Sequence, residues 1–119
     1  MKYQIRFGKK FLQQAKQLAK RHRSLKSDLA RLVKVLEEDP YQGVVLTPNV
    51  RKIRLAIKSK GRGKSGGARV ITYAHERMEG EELVLVYLRL TIIYDKADEQ
   101  NVSDQIITRV IIAELSEEE

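Results

Sequence analysis

From Leu83 to Tyr94 the chain reads LVLVYLRLTIIY, and Arg89 is the one charged residue in it. The run is too short to span a membrane as a helix, which takes roughly 18 or more apolar residues. Its β-branched and aromatic content suits extended structure. A strand with one wet face alternates between apolar and polar residues, and this one barely does, so it reads as a strand in the middle of a sheet. Whatever fold the chain adopts must be arranged around it.

The other elements follow from periodicity. Tyr3, Ile5 and Phe7 alternate with polar residues and predict a first strand, which Gly8 interrupts. Phe11, Leu12, Ala15, Leu18 and Ala19 recur at helical spacing up to the cationic Lys20 to Arg23, a favourable charge at a helix C-terminus. A second helix, capped near Ser24 or Ser27, carries Leu25, Leu29, Leu32, Val33 and Leu36 and stops before Pro40. Tyr41 to Asn49 reads as a loop. Val50 to Lys58 is a strand with two unlike faces: Ile53, Leu55 and Ile57 on one, Lys52, Arg54, Ala56 and Lys58 on the other. In the next strand Arg69, Ile71, Tyr73 and His75 share a face opposite Val70, Thr72 and Ala74. Glu76 to Glu82 reads as an acidic turn, Asp95 to Asn101 as polar chain, and Ser103 opens a last helix that buries Ile106, Ile107, Val110, Ile111 and Leu115. The expected fold is a small α+β domain over 1–119, with an antiparallel-rich β-sheet, an N-terminal helical hairpin and a C-terminal helix, in the order βααβββα.

Charge is polarised along the chain. Residues 1–75 hold 19 Lys/Arg against 4 Asp/Glu, a balance of +15; residues 76–119 hold 4 against 12, a balance of −8, within a net charge of +7. A basic front suits a polyanion such as nucleic acid, whose condensed counterions lysine and arginine displace. The bland reading of Lys16 to Lys26 is a solvated helix face. Cysteine is absent and the two histidines lie far apart, which argues against disulfides and a structural metal. The N-terminus lacks an apolar run of signal-peptide length, so a cytoplasmic protein with no cofactor and no membrane association is expected.

The stretch KSKGRGKSGGARVITY, residues 58–73, concentrates basic residues and glycines. Gly63-Lys64-Ser65 imitates the end of a nucleotide-binding P-loop, but that motif needs a glycine at position 58, where this chain has lysine, and a helix where Ala68 onward alternates like a strand. The loop is better suited to gripping backbone phosphates, with Lys58, Lys60, Arg62 and Lys64 as candidates; the alternative is a solvated hairpin whose glycines serve the turn.

This order of elements, with RKIRL at Arg51 to Leu55, ARVITY at Ala68 to Tyr73 and IIYDKADEQNVSD at Ile92 to Asp104, resembles the RelE/ParE superfamily of bacterial toxins from type II toxin–antitoxin systems, and within it the HigB-like branch. The resemblance covers nearly the whole chain. It implies a ribosome-dependent mRNA endoribonuclease, acting in the ribosomal A site on mRNA held by ribosomal RNA, with the RNA 2′-hydroxyl as nucleophile and no metal required. It also implies a cognate antitoxin as partner, here an acidic, amphipathic segment that folds over the cationic face. Carried over by position, Lys52 and Arg69 meet the scissile phosphate, Arg54 binds phosphate or assists proton abstraction, and Lys96 serves the leaving group. Arginine is a poor base. The family's C-terminal tyrosine corresponds to Val102, which leaves Tyr94 and Tyr73 as substitutes; His75, on the Arg69 face, is a further candidate base. Two other readings of the same fold stand beside this one: a ParE-like gyrase inhibitor, and an RNA-binding protein that does not cut.

Overall fold

The computed structural model describes residues 2–117. It is a small α+β domain: β1 (Lys2–Phe7), α1 (Lys9–Arg21), α2 (Leu25–Glu38), β2 (Val44–Thr47), β3 (Val50–Leu55), β4 (Ala68–Glu79), β5 (Glu82–Asp95) and α3 (Asp104–Glu117), with 3₁₀ segments at Lys58–Lys60 and Lys96–Asn101. The strands form one mixed sheet in the order β1-β5-β4-β3-β2. β1 runs parallel to β5, and the other neighbours are antiparallel.

The apolar run of β5 is accounted for by a core on each side of the sheet. On one side Phe11 and Leu18 of α1 and Leu25, Leu32 and Leu36 of α2 pack on Ile53, Leu55, Val70, Val86, Leu88, Leu90 and Ile93. On the other, Ile107 and Ile111 of α3 pack on Val50, Ile71, Ile92 and Tyr94. Fully burying each aliphatic side chain stabilises the fold by about 1.5–3 kcal/mol. Ser103 caps α3 by accepting the Ile106 amide at 3.2 Å, while the Ile106 side chain faces solvent rather than the core. Glu114, two turns farther along, is buried, accepting from the Lys10 amide at 2.8 Å and pairing with Arg89 at 3.1 Å.

Three further expectations change. Tyr41 to Asn49 is not all loop, because Val44–Thr47 forms β2 against β3. An edge strand whose valines stay exposed has no burial alternation for periodicity to detect. Glu76 to Glu82 is mostly strand: β4 and β5 stay paired out to Glu79↔Glu82, and the reversal is confined to Gly80 (φ 62°) and Glu81. Both arms of that hairpin are solvated, so their acidic composition mimics a turn. The strand expected over Val50 to Lys58 ends at Leu55, and Lys58 to Lys60 turns into a 3₁₀ segment.

One irregularity determines which side chains meet. Ile71 pairs with Ile92 but Thr72 pairs with Leu90, so Thr91 is an extra residue in β5, its hydroxyl donating to the Ile71 carbonyl at 3.0 Å. An inserted residue shifts the facing of everything after it. Leu90 and Ile93 therefore face the helical hairpin, and Ile92 and Tyr94 face α3.

Candidate functional site: a cationic cluster closed by Glu99

Lys52 and Arg54 share a face of β3 with Val50, which belongs to the α3-side core. Register sets Arg54 opposite Arg69, and Arg69 in turn opposite Tyr94, so these three form a row across β3, β4 and β5, with Lys52 one step along opposite Ile71. Like charges directly opposite each other repel. The sheet alone would therefore not favour this row.

The compensating charge comes from the segment after β5. The Lys96 amide donates to the Gly67 carbonyl at 3.0 Å and the Ala97 amide to Asp95 Oδ1 at 3.0 Å, which winds residues 96–101 into the 3₁₀ helix. That helix places Glu99 over the row, with its carboxylate 2.9 Å from Lys96 Nζ, 3.2 Å from Arg69 Nε and 3.8 Å from Lys52 Nζ. The Lys96 ammonium, against the opposing effect of burial and with help from Arg69 and Lys52, holds the Glu99 carboxyl below its ordinary range. Beside it Tyr94 is 6% exposed, and its buried hydroxyl has no hydrogen-bond partner among the described residues. Burial, then the nearby Glu99 charge, raises the Tyr94 pKa.

Arg69 is the least accessible member of the row. Its side chain is buried, and the guanidinium donates to the carbonyls of Lys64, Ala68 and Ser65, each at 3.1 Å, besides the ion pair with Glu99. Three of its five N–H donors are thus committed to carbonyls. Arg69 holds the end of the glycine loop and reaches outward only through the position Glu99 fills. Lys52, Arg54 and Lys96 are the members open to a ligand, Arg54 and Lys96 being exposed and Lys52 partly so.

In the glycine loop Lys58, Arg62 and Lys64 are exposed. Lys60 turns inward, its Nζ 2.8 Å from Asp95 Oδ1, so it is not available to phosphate in this arrangement. Asp95 also takes His22 Nε2 at 2.8 Å and Arg21 at 3.4 Å, tying the end of α1, the loop and the end of β5 together. Gly67 lets β3 and β4 converge here, since a Cβ on it would lie 1.9 Å from the Leu55 carbonyl oxygen. Tyr73 and His75 lie farther along β4, opposite Arg89 and Tyr87, outside the cluster. Val102 packs partly buried on the α3-side core.

Sequence reasoning passes over Glu99 and Asp95, because the acidic second part of the chain registers there only as net charge. A signal for Glu99 exists in its i, i+3 spacing from Lys96. For the ion pairs of Asp95 there is none, because its charged partners are 35 to 74 residues away. Among the described residues no His/Asp/Glu group is placed to hold a metal ion, and no helix is long and apolar enough to cross a membrane. Compared with protein-family models, curated proteins and solved structures, the chain gives no match to any of them.

Proposed function

We propose that the chain is a RelE-like toxin that cleaves mRNA on the ribosome, with the cluster around Glu99 as its phosphate site. The observation that carries this reading is that cations from three separate segments, Lys52, Arg69 and Lys96, converge on one carboxylate beside an unpartnered buried hydroxyl. A carboxylate held in that way occupies the position of an oxyanion. The resemblance of RKIRL, ARVITY and the segment after β5 to the toxin family supplies the reaction.

In that reaction the 2′-oxygen attacks the adjacent phosphorus and the bond from phosphorus to the 5′-oxygen breaks. One proton leaves the 2′-hydroxyl and another reaches the departing 5′-oxygen, giving a cyclic phosphate and a 5′-hydroxyl. The substrate phosphate displaces Glu99 and takes over Lys52, Lys96 and the Nε edge of Arg69. Fixed donors aimed at developing phosphorane charge contribute on the order of 100- to 1000-fold each. Lys96 protonates the leaving oxygen. The displaced Glu99 carboxylate accepts the 2′-hydroxyl proton, a task Arg54 cannot perform with a pKa above about 12. Arg54 binds a neighbouring phosphate, and Arg69 positions the loop.

The antitoxin is the proposed partner, and the β2 edge is where an extended segment would add to the sheet: Val44 and Val45 are exposed there, and unpaired strand edges invite a further strand. Primer extension on a reporter mRNA after induction tests the reading. Cuts at codon spacing, lost in Lys52→Ala and Lys96→Ala together, are expected. DNA breaks without mRNA cuts would replace it by the gyrase-directed reading, and RNA binding without cuts by the non-catalytic one.

A further inference from the structure

Beyond the C-terminal end of α3, on the same sheet face as the cationic cluster, lies an open cavity of about 470 Å³ that the phosphate chemistry does not use. Tyr73 and His75 of β4, Tyr87 and Arg89 of β5, Arg6 of β1 and Leu115 of α3 contribute to its lining. The parity of three adjacent strands brings these groups together: Tyr73 is opposite Arg89, His75 opposite Tyr87, and Arg6 beside Arg89. The rings of His75 and Tyr87 lie 6.2 Å apart at 33°, and the Arg6 guanidinium sits 5.7 Å from the Tyr87 ring centroid. His75 and Arg6 are exposed and the two tyrosines half-buried, so ring surface is presented to solvent.

We propose that this cavity is a base-stacking subsite for single-stranded RNA, taking one or two unpaired bases on Tyr73, His75 and Tyr87 and the neighbouring backbone phosphate on Arg6. The inference rests on the reading that the chain binds RNA, but not on its cutting it. Three considerations favour a nucleotide. Aromatic side chains on a sheet face offer π-surface that every base can use, and guanidinium adds charge and stacking of its own. A purely apolar ligand would leave Arg6 unused, and a simple anion would leave the rings unused. Third, from Arg69 to His75 the strand spans six steps of about 3.3 Å, or roughly 20 Å, so a base here belongs to a nucleotide several positions from the phosphate at Glu99. α3, packed on Ile71 and Ile92, stands between the two sites.

The test is the affinity of the intact protein for a short 2′-O-methyl oligoribonucleotide, which cannot be cleaved because its 2′-oxygen is blocked, and for an abasic oligonucleotide of equal length, both followed by fluorescence anisotropy. In Tyr87→Leu/His75→Ala the affinity for the base-bearing strand is expected to fall about 10- to 100-fold, with little change for the abasic strand. Tyr87→Phe keeps the ring and is expected to retain wild-type affinity, and thermal melts establish that each variant is folded. An equal loss for both strands, or none for either, would overturn the subsite. So would a wild-type protein that binds neither strand; codon-spaced cuts on ribosomes by such a protein would leave the nuclease reading standing. Base-dependent binding that follows the rings in a protein that cuts nothing on ribosomes would uphold the subsite and remove only the nuclease.

Discussion

Replacing Asp95 by Asn should destabilise this protein more than any other isosteric change near the cluster. The carboxylate is 2% exposed. Oδ1 accepts Lys60 Nζ at 2.8 Å and the Ala97 amide at 3.0 Å, while Oδ2 faces His22 at 2.8 Å and Arg21 at 3.4 Å. Asparagine keeps the oxygen facing Lys60 and Ala97, presents an amide where His22 and Arg21 approach, and removes the charge that neutralises a largely buried ammonium. Breaking a buried pair costs about 3–5 kcal/mol. Because asparagine preserves two of the contacts, the expected loss is about 2–4 kcal/mol, a large share of the ~5–15 kcal/mol that holds a typical domain. Urea unfolding at neutral pH measures it.

The pH dependence supplies a second check. Burial alone would raise the Asp95 pKa, but Lys60, the Ala97 amide and His22 outweigh it and hold the carboxyl well below its ordinary 3.8. A depressed carboxylate contributes stability that is fully present above the unfolded value and is lost as pH falls through the folded one. The difference between wild type and Asp95→Asn should thus be present at about pH 5 and shrink as pH falls below about 4. A loss under about 1 kcal/mol, or one unchanged down to pH 2, would refute the assignment of Asp95 as the charged tie between α1, the loop and β5.

Glu99→Gln removes both the occupant of the anion site and the proposed proton acceptor; RNA affinity should rise while single-turnover cleavage at saturation falls roughly 100- to 10,000-fold, and a fall in affinity would contradict the occupancy. Neutralising Lys58, Arg62 and Lys64 together should reduce the slope of log affinity against log salt by about 2, at ~0.7 per single-strand phosphate contact, with little change in the plateau rate; adding Lys60→Gln should cost stability as well, as measured by thermal melting. Gly67→Ala should destabilise by several kcal/mol or prevent folding, because its methyl would enter the Leu55 carbonyl; a wild-type melting temperature would show that β3 and β4 can separate there.

Much of this architecture is legible in the chain because burial imposes a period on it. The apolar run of β5, the 3.6-residue spacing of α1 and α2 and the two unlike faces of β3 each follow from local alternation, and the last of these is enough to put Lys52 and Arg54 side by side on the same face. Residues without such a period give no comparable signal: β2, whose exposed valines line a sheet edge, and the acidic ends of β4 and β5, which stay paired in solvent. Tertiary structure alone decided the composition of the cluster. Strict alternation along β5 would have set Tyr94 on the same face as Leu88 and Leu90, against the helical hairpin; the extra residue at Thr91 turns it to α3 and Arg69. Likewise Glu99 joins three cations, and Asp95 draws Lys60 inward from the glycine loop, through contacts between segments up to 47 residues apart for the first and 74 for the second. Periodicity records which face of an element is buried, whereas the pairing of charges depends on where the chain returns, which no local pattern encodes.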